Sequence, residues 1–262
     1  MRVAIFNNQE FSTLEVVKKL RQLLEIPFFA LDDECPEIVL TVGGDGTLIS
    51  AVHRYENQLD TVQFVGIHTG HLGFYTDWRE FELKELVESL KLEERCYVSY
   101  PLLEVEVEHN EGKECFLALN ESTIRSLNRT LVGRIYIKEE FFENFRGDGL
   151  SISTPTGSTA YSKALGGAVI HPSINAIQLA EIASLNNRVF RTLGSPMVIG
   201  AHEWIRIALE SSMNYVITFD SEVIQLEDVR AITYRIAKKR IRFVSYRHLD
   251  FWDRVKKSFI VD

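Results

Sequence analysis

The stretch Glu37-Ile38-Val39-Leu40-Thr41-Val42-Gly43-Gly44-Asp45-Gly46-Thr47 decides the fold of this 262-residue chain. Its first half is a short, β-rich apolar run, which predicts a buried strand. The glycines that follow predict a tight turn, and residues 48–55 then resume the apolar spacing of a helix. A strand that runs through a glycine turn into a helix presents bare backbone N–H groups to an anion. The stretch therefore predicts an α/β fold with a phosphate-binding turn.

The flanking segments extend this pattern to a β-α-β-α-β-α order. Residues 1–6 and 62–67 have the composition of strands, and Ser12 and Asp77 each stand where a helix cap is expected before an apolar set at helical spacing. Alternation of strands and helices implies a parallel, doubly wound sheet. We therefore expect an N-terminal, Rossmann-like α/β domain over residues 1–99.

The pattern changes near Ser99-Tyr100-Pro101. Residues 103–108 alternate strictly between apolar and acidic, as an antiparallel strand with one wet face does. Similar alternating runs recur over residues 131–137, 204–209, 215–219 and 232–236, and one helix is predicted over 173–185. These runs predict a second, mostly antiparallel β domain over residues 100–244. The apolar segment 245–262 is expected to return and pack on the first domain.

Composition excludes several classes of protein. Apolar residues make up 45% of the chain and charged residues 25%, which is typical of a globular protein. The net charge of -8 argues against general affinity for nucleic acid, and no apolar run approaches the ~20 residues that span a bilayer. Three widely spaced cysteines, Cys35, Cys96 and Cys115, are expected to be reduced thiols. We expect a cytoplasmic protein with neither nucleic-acid nor membrane partners.

One segment departs from this acidic balance. Residues 230–257 carry ten cations and only two anions. Such a tract can bind phosphate, but a solvated strand face beside an acidic body is the interpretation we favour.

The aspartate in the glycine turn is unexpected in a pure anion site, because its charge repels phosphate. Its presence makes sense if Asp45 takes a proton from a hydroxyl that attacks phosphorus. The alternative is an aspartate that caps the following helix. The two standard nucleotide fingerprints, G-x-x-x-x-G-K-[ST] and G-x-G-x-x-G after a strand, are both missing.

A second glycine-rich loop follows the strand at 62–67. His68 and His71 suggest a metal, but no third ligand stands nearby in the sequence, so we expect no metal site. The glycines more plausibly shape a pocket wall, with Phe74 and Tyr75 offering an aromatic face to a ring.

Three further segments lie in the predicted β domain. Asn120 and Glu121, adjacent at a strand end, can bridge the hydroxyls of a sugar. Arg146 can bind a phosphate and Asp148 can accept from an exocyclic amine. The hydroxyl-rich run 153–161 can bond a nucleobase beside Tyr161. Taken singly, these segments are better explained as a turn, a salt bridge and a loop.

Together these segments resemble the NAD kinases. The motifs occur in order as V-G-G-D-G-T at 42–47, G-H-L-G-F at 70–74, L-N-E-S at 119–122, R-G-D-G-L at 146–150 and T-P-T-G-S-T-A-Y at 154–161. Residues 189–196 also resemble the R-x-L-x-x-x-P stretch of the family. The G-G-D-G-T motif is shared with phosphofructokinases and lipid kinases, whereas the T-P-T-G-S-T-A-Y type of segment separates NAD kinases from both.

The resemblance implies an ATP-dependent transfer of phosphate to the 2′-hydroxyl of the adenosine ribose of NAD, which gives NADP. It also implies Mg2+ or another divalent metal carried with ATP, and a homotetramer with site residues contributed across a subunit contact. The alternatives are a lipid or sugar kinase that shares the glycine turn, and a dinucleotide sensor without turnover.

Matching positions supply the expected site. Asp45 would be the base, Gly46 would line the diphosphate, and Asn120 and Glu121 would bind the acceptor ribose. The adenine and nicotinamide subsites and the rest of the nucleotide-binding set would comprise Phe74, Arg146, Asp148, Thr156, Thr159, Ala160, Tyr161, Ser162, Lys163, Ala164 and Ala183. The chain departs from the family pattern at Ala164, where a hydroxyl is expected, and at Ser221-Glu222, where Gln or His often follows the aspartate.

Overall fold

The computed structural model describes residues 1–8, 10–70, 73–92, 96–210, 213–244 and 250–260. The chain forms two compact units, one comprising Met1–Tyr100 with Lys239–Asp262 and the other Pro101–Lys238.

The elements alternate between strand and helix at first and are then nearly all strands. Up to residue 96 they are β1 (Arg2–Asn7), α1 (Phe11–Leu24), β2 (Ala30–Leu31), β3 (Ile38–Val42), α2 (Asp45–Arg54), β4 (Gln63–His68), β5 (Trp78–Arg79) and α3 (Leu83–Leu90). From residue 97 they are β6 (Tyr97–His109), β7 (Lys113–Ala118), β8 (Glu121–Ser126), β9 (Leu131–Ile137), β10 (Glu140–Gly147), β11 (Gly149–Ser153), α4 (Tyr161–Ala164), β12 (Ala176–Ile182), β13 (Met197–Gly200), β14 (Ile205–Leu209), β15 (Tyr215–Phe219), β16 (Glu222–Leu226), β17 (Val229–Val244) and α5 (Phe251–Phe259).

The first unit contains a parallel sheet in the order β2-β1-β3-β4. The end of β17 joins it through Phe243, which pairs in parallel with Phe64 of β4. Helix α1 buries the side of its surface that carries Val16 and Leu20, in one apolar cluster with β1, β3, β4 and α3. The predicted α/β class of this region is confirmed.

The starts of two helices differ from the sequence prediction. Helix α1 begins at Phe11, and its N-cap residue Glu10 makes no side-chain cap bond, so Ser12 lies inside the helix. Helix α3 begins only at Leu83, after a 3₁₀ turn. Asp77 lies six residues before that start and forms an ion pair with Arg254 of α5.

The second unit contains antiparallel strands throughout. One sheet has the order β13-β12-β11-β8-β15-β16, and β10, β9, β14 and β17 are neighbours in another. Both sheets contribute to a single buried cluster that includes Ile124, Ile135, Leu150, Ile207 and Ile217. The predicted mostly antiparallel β class is confirmed.

The helix predicted over residues 173–185 is wrong. Residues 176–182 form β12, which lies between β11 and β13 in its sheet. The strand is buried on both faces, except for the partly exposed Glu181. A strand buried on both faces shows no alternation, so its apolar run cannot be told from a helix by periodicity.

Several cations of the basic segment 230–257 bind groups of the protein itself. Arg235 forms ion pairs with Glu104 and Glu106 at 2.8 and 2.9 Å. Arg240 and Arg242 donate to backbone carbonyl groups at 2.9 and 2.8 Å. These contacts favour the strand-face interpretation of the tract over a phosphate site. Among the described residues, no helix is long and apolar enough to cross a bilayer.

Candidate active site

The glycine turn between β3 and α2 has the geometry that its sequence predicts. Gly43 has a φ of +148°, and a Cβ there would collide with the Thr47 side chain, so this position requires glycine. Gly44 is the N-cap of α2, and Asp45 is the first helical residue. Gly46 is exposed, and a Cβ added there would meet no atom within 4 Å. The turn leaves open space at the positive end of α2.

The carboxylate of Asp45 is held by the second glycine-rich loop. Its Oδ2 accepts from the backbone N–H of Phe74 at 2.8 Å, and its Oδ1 accepts from that of Tyr75 at 3.0 Å. Gly44 rather than Asp45 occupies the N-cap position, and the Asp45 carboxylate bonds the second loop instead, so the helix-cap alternative is set aside. Each oxygen keeps further lone pairs, and the side chain is partly exposed. A substrate hydroxyl can therefore reach it.

The loop itself is shaped for this contact. A Cβ on Gly73 would collide with the Asp45 carboxylate, so glycine is required for the close approach. Tyr75 is buried and stacks on Phe243 with 5.8 Å between ring centroids, so only Phe74 of the two predicted aromatics presents surface. His68 Nδ1 bonds the carbonyl oxygen of Gly70 at 2.9 Å. His71 lies outside the described residues.

The turn that carries Asn120 and Glu121 is organised by Asp220. The Asp220 carboxylate accepts from the backbone N–H groups of Leu119, Asn120 and Glu121 at 2.8, 2.6 and 3.3 Å. Its own N–H donates to the Glu121 carbonyl oxygen at 2.9 Å. Asp220 has a φ of +54°, a left-handed conformation that aspartate tolerates better than most residues. Sequence reasoning considered only Ser221 and Glu222 and missed this role.

Glu121 has an unusual environment. Burial, reinforced by the negative charge of Asp220, raises the pKa of its carboxyl to about 7, although the Tyr161 backbone N–H acts in the opposite direction. Its Oε2 is buried and has no hydrogen-bond partner in the part of the chain that the structure describes. Buried polar atoms are nearly always satisfied, so this oxygen is a candidate contact for a ligand hydroxyl.

The hydroxyl-rich run builds a scaffold under that turn. Thr154 and Thr156 donate to the Leu119 carbonyl oxygen at 2.6 and 3.1 Å. Thr159 donates to the Thr156 carbonyl oxygen at 3.1 Å, and Ser162 accepts from Gln178 at 2.8 Å. These residues are buried and their hydroxyls bond groups of the protein itself, and their predicted contact with a base stays a prediction.

The remaining residues of this run lie nearer the surface. Ala160 and Tyr161 are partly exposed, and Lys163 and Ala164 are exposed. The Tyr161 hydroxyl accepts from Arg125 Nη2 at 2.6 Å.

A second cluster surrounds the turn between β10 and β11. The side chain of Asp148 is exposed, and its N–H donates to the Ile182 carbonyl oxygen at 2.9 Å, beside Ala183. Ala183 is exposed and has a φ of +47°. The Arg146 guanidinium lies 4.8 Å from the ring centroid of Phe190. Within the described residues, no ion pair joins Arg146 to Asp148, so the salt-bridge alternative is not supported.

The two clusters of the second unit lie at opposite ends of β11. Glu121 pairs with Ser153 at one end of this strand, and Arg125 pairs with Gly149 at the other. Five residue steps separate Ser153 from Asp148, or about 16 Å along the strand. One copy of the chain therefore does not bring Asp148 next to Glu121.

Comparison with known proteins defines the class. A glycine turn with an aspartate at the helix start, followed by a β-rich unit, is the arrangement expected of a phosphotransferase. The family "ATP-NAD kinase N-terminal domain" matches residues 9–94, and "ATP-NAD kinase C-terminal domain" matches residues 119–245. The chain belongs to the ATP-NAD kinase family, whose members phosphorylate NAD to NADP.

Full-length relatives agree with this assignment. The NAD kinase of Enterococcus faecalis is 59% identical over 262 residues, covering 99% of both chains. That of Lacticaseibacillus paracasei is 53% identical over 261 residues, covering 99% of this chain and 98% of the relative. The resemblance seen in the motifs is thereby confirmed, and the lipid- or sugar-kinase alternative is not supported.

Solved structures show the same fold. Yeast NADH kinase complexed with NADH superposes with a TM-score of 0.81 at 20% identity, covering 99% of this chain and 87% of that one. An NAD kinase from Archaeoglobus fulgidus in complex with ATP gives 0.73 at 21% identity, covering 94% of both chains.

Proposed function

We propose that Asp45 is the general base for transfer of the ATP γ-phosphoryl group to the 2′-hydroxyl of the adenosine ribose of NAD. The observation that carries this role is the Asp45 carboxylate, which is fixed by two backbone N–H donors at 2.8 and 3.0 Å beside the open surface of Gly46. A base must be oriented and still accessible, and both conditions hold at Asp45.

The proton and phosphoryl transfers divide between neighbouring groups. As the ribose oxygen attacks the γ-phosphorus, its proton passes to a free lone pair of Asp45, and the bond between the γ-phosphorus and the β,γ-bridging oxygen breaks to release ADP. The phosphate groups lie against Gly46, where the missing Cβ allows close approach to the first turn of α2. The positive end of this helix stabilises their negative charge.

The acceptor ribose and its surroundings bind at the turn of Asn120 and Glu121. Glu121 offers its unpartnered Oε2, and at neutral pH its carboxyl is present in both protonation states. It can therefore accept from a sugar hydroxyl or donate to one. Asp220 keeps the turn rigid through its three N–H contacts.

The separation along β11 favours a site completed by a second copy of the chain. Arg146, Asp148 and Ala183 form one cluster, and Asn120 and Glu121 belong to another about 16 Å away along the strand. We infer that the cluster of Arg146, Asp148 and Ala183 serves a dinucleotide that is held by Asn120 and Glu121 of a neighbouring subunit. This is the arrangement that a homotetramer would provide. We also propose that the protein is located in the cytoplasm.

We propose that the divalent metal ion is bound by the phosphates of ATP. Among the described residues, no three His, Cys, Asp or Glu side chains cluster in a way that could hold a metal ion. Mg2+ or another divalent cation would therefore be carried on the ATP phosphates, whose charge it neutralises.

The proposal is tested by a coupled assay. Purified protein is incubated with Mg2+, ATP and NAD, and NADP is measured with an NADP-specific dehydrogenase. We expect NADP formation that depends on ATP and is lost in Asp45→Asn. A folded protein that binds NAD but makes no NADP would instead support the dinucleotide-sensor alternative.

A further inference from the structure

A buried arginine of the last helix lies against the loop that holds Asp45. Arg254 of α5 is 2% exposed, and arginine is almost never this buried unless it is paired. Its Nη1 donates to the carbonyl oxygens of Gly73, Phe74 and Thr76 at 3.0, 3.1 and 3.2 Å. Its Nη2 forms an ion pair with Asp77.

Two peptide groups of this loop are bonded at both ends. The Gly73 carbonyl and the Phe74 N–H belong to one peptide group, and the Phe74 carbonyl and the Tyr75 N–H belong to the next. In each group, the carbonyl accepts from Arg254 and the N–H donates to Asp45. Hydrogen bonds in such a chain polarise one another, so a charged donor at one end strengthens the bond at the other.

We propose that Arg254 is a positioning residue for Asp45, acting through the two peptide groups at 73–75. The guanidinium orients these groups and polarises their N–H bonds toward the Asp45 carboxylate. Arg254 touches neither substrate nor any reacting atom in this role. The proposal rests on the assignment of Asp45 as the base.

The chemistry of arginine suits this role. Burial lowers the pKa of Arg254 to about 10, while the negative charge of Asp45 acts in the opposite direction, so the guanidinium stays charged at neutral pH. Its planar fork lets Nη1 bond the carbonyl groups of the loop while Nη2 reaches the Asp77 carboxylate, which a single ammonium group cannot do with the same geometry.

The first test compares Arg254→Lys and Arg254→Ala with the same changes at Arg240. Arg240 serves as the control because it is an arginine of the same unit that is partly buried and donates to Ser99. We expect kcat to fall on the order of 10²-fold in Arg254→Ala and less in Arg254→Lys, with little change in KM. The Arg240 variants should keep kcat. Equal losses in the two series would overturn the proposal.

A pH profile separates positioning from folding. Backbone N–H donors stabilise a carboxylate relative to its protonated acid. Misaligned donors should therefore move the acid limb of kcat to higher pH in the Arg254 variants. A purely structural role would lower the active fraction at every pH and leave the limb in place, which would count against the proposal.

A double-mutant cycle identifies the route of the effect. If Arg254 acts through Asp45, then Arg254→Lys should change the residual rate of Asp45→Asn by no more than about twofold. A loss that multiplies fully with that of Asp45→Asn would overturn the positioning role while leaving Asp45 as the base. If Asp45→Asn itself keeps normal turnover, the proposed function fails instead.

Rescue covers the case in which Arg254→Ala is destabilised. Its melting temperature is measured first, and millimolar guanidinium chloride is then added to the folded fraction. We expect guanidinium to restore part of kcat in Arg254→Ala and to leave Arg240→Ala unchanged. If Arg254→Ala does not fold, the pH profile and the cycle with Arg254→Lys decide.

Discussion

Two carboxylates of this protein lie beside backbone N–H donors, but the donors are distributed in opposite ways. In the first unit, Asp45 itself accepts the N–H groups of Phe74 and Tyr75. In the second, the N–H groups of residues 119–121 go to Asp220, while burial, reinforced by the Asp220 charge, raises the pKa of Glu121 to about 7. The comparison teaches that the surroundings of a carboxyl group, and not the group alone, decide which chemistry a site can perform.

The largest loss of activity is expected when the Asp45 carboxylate, which is held by the N–H groups of Phe74 and Tyr75, is replaced. Asp45→Asn is nearly isosteric, and its carbonyl oxygen can still accept one N–H group, so the fold should be kept. Loss of a general base typically lowers the rate about 10²–10⁴-fold. The measurements are kcat and the circular dichroism spectrum, with the exposed Asp33→Asn as control. Near-normal turnover in folded Asp45→Asn would break the distinction between the two carboxylates.

The second prediction concerns the open space at Gly46, where we propose that the phosphate groups bind. A Cβ at Gly46 would meet no atom of another segment within 4 Å, so Gly46→Val should fold and obstruct only the ligand. We expect a rate loss on the order of 10²-fold together with loss of nucleotide protection against thermal unfolding. Gly112→Val is a matched control, because an added Cβ there also meets open space. Undiminished protection by NAD and ATP in Gly46→Val would place the phosphate site elsewhere.

Local features of both sites could be predicted from the sequence. The strand, glycine turn and helix around Asp45 depend on neighbouring residues, and the Asn120-Glu121 pair was recognisable beside a strand. The motif resemblance correctly identified the family, and the fold class followed from the change of periodicity near Tyr100. The predicted contacts of individual site residues with nucleotides stay predictions.

Contacts between distant segments could not be predicted. Asp220 is 100 residues from Asn120, and Arg254 is 181 residues from Gly73, so no local pattern links them. The internal hydrogen bonds of the hydroxyl-rich run, such as that from Thr156 to Leu119, were also missed, because sequence does not show which way a loop side chain points. These contacts form because the fold brings distant segments together, and the types of the neighbouring residues do not predict them.

The third prediction uses the raised pKa of Glu121. Between its ordinary value of 4.5 and about 7, the unfolded chain releases a proton that the folded chain keeps. Folding stability therefore falls as pH rises through this window, and the cost is complete above it. Glu121→Gln cannot ionise and avoids a cost on the order of 3 kcal/mol. Without ligand, this variant should be more stable than the parent at about pH 8 and similar at about pH 4.

The control for this effect lies in the same sheet. Glu222→Gln changes an exposed carboxylate of β16 and should give a stability difference that is small at both pH values. Denaturant unfolding at the two pH values measures all three proteins. A Glu121→Gln difference that does not change with pH would mean that Glu121 ionises normally, which would remove the contrast with Asp45.

The smallest effect is a partial recovery of activity, and it tests whether the two ends of β11 serve one dinucleotide. Glu121→Ala removes the carboxyl proposed to meet the ribose, and Asp148→Asn weakens the cluster about 16 Å from Glu121 along the strand. If a site combines Glu121 of one copy with Asp148 of another, mixed oligomers contain some sites with both native residues. At equal amounts of the two variants, about a quarter of the sites should be native.

Co-expression with two different tags and sequential purification isolates these mixed oligomers. Their rate at low NAD concentration should clearly exceed the average of the two separate variants. If each chain instead supplied both residues to its own site, every site would carry one substitution. The rate would then equal that average, and Asp148 and Glu121 of one copy would serve the same site.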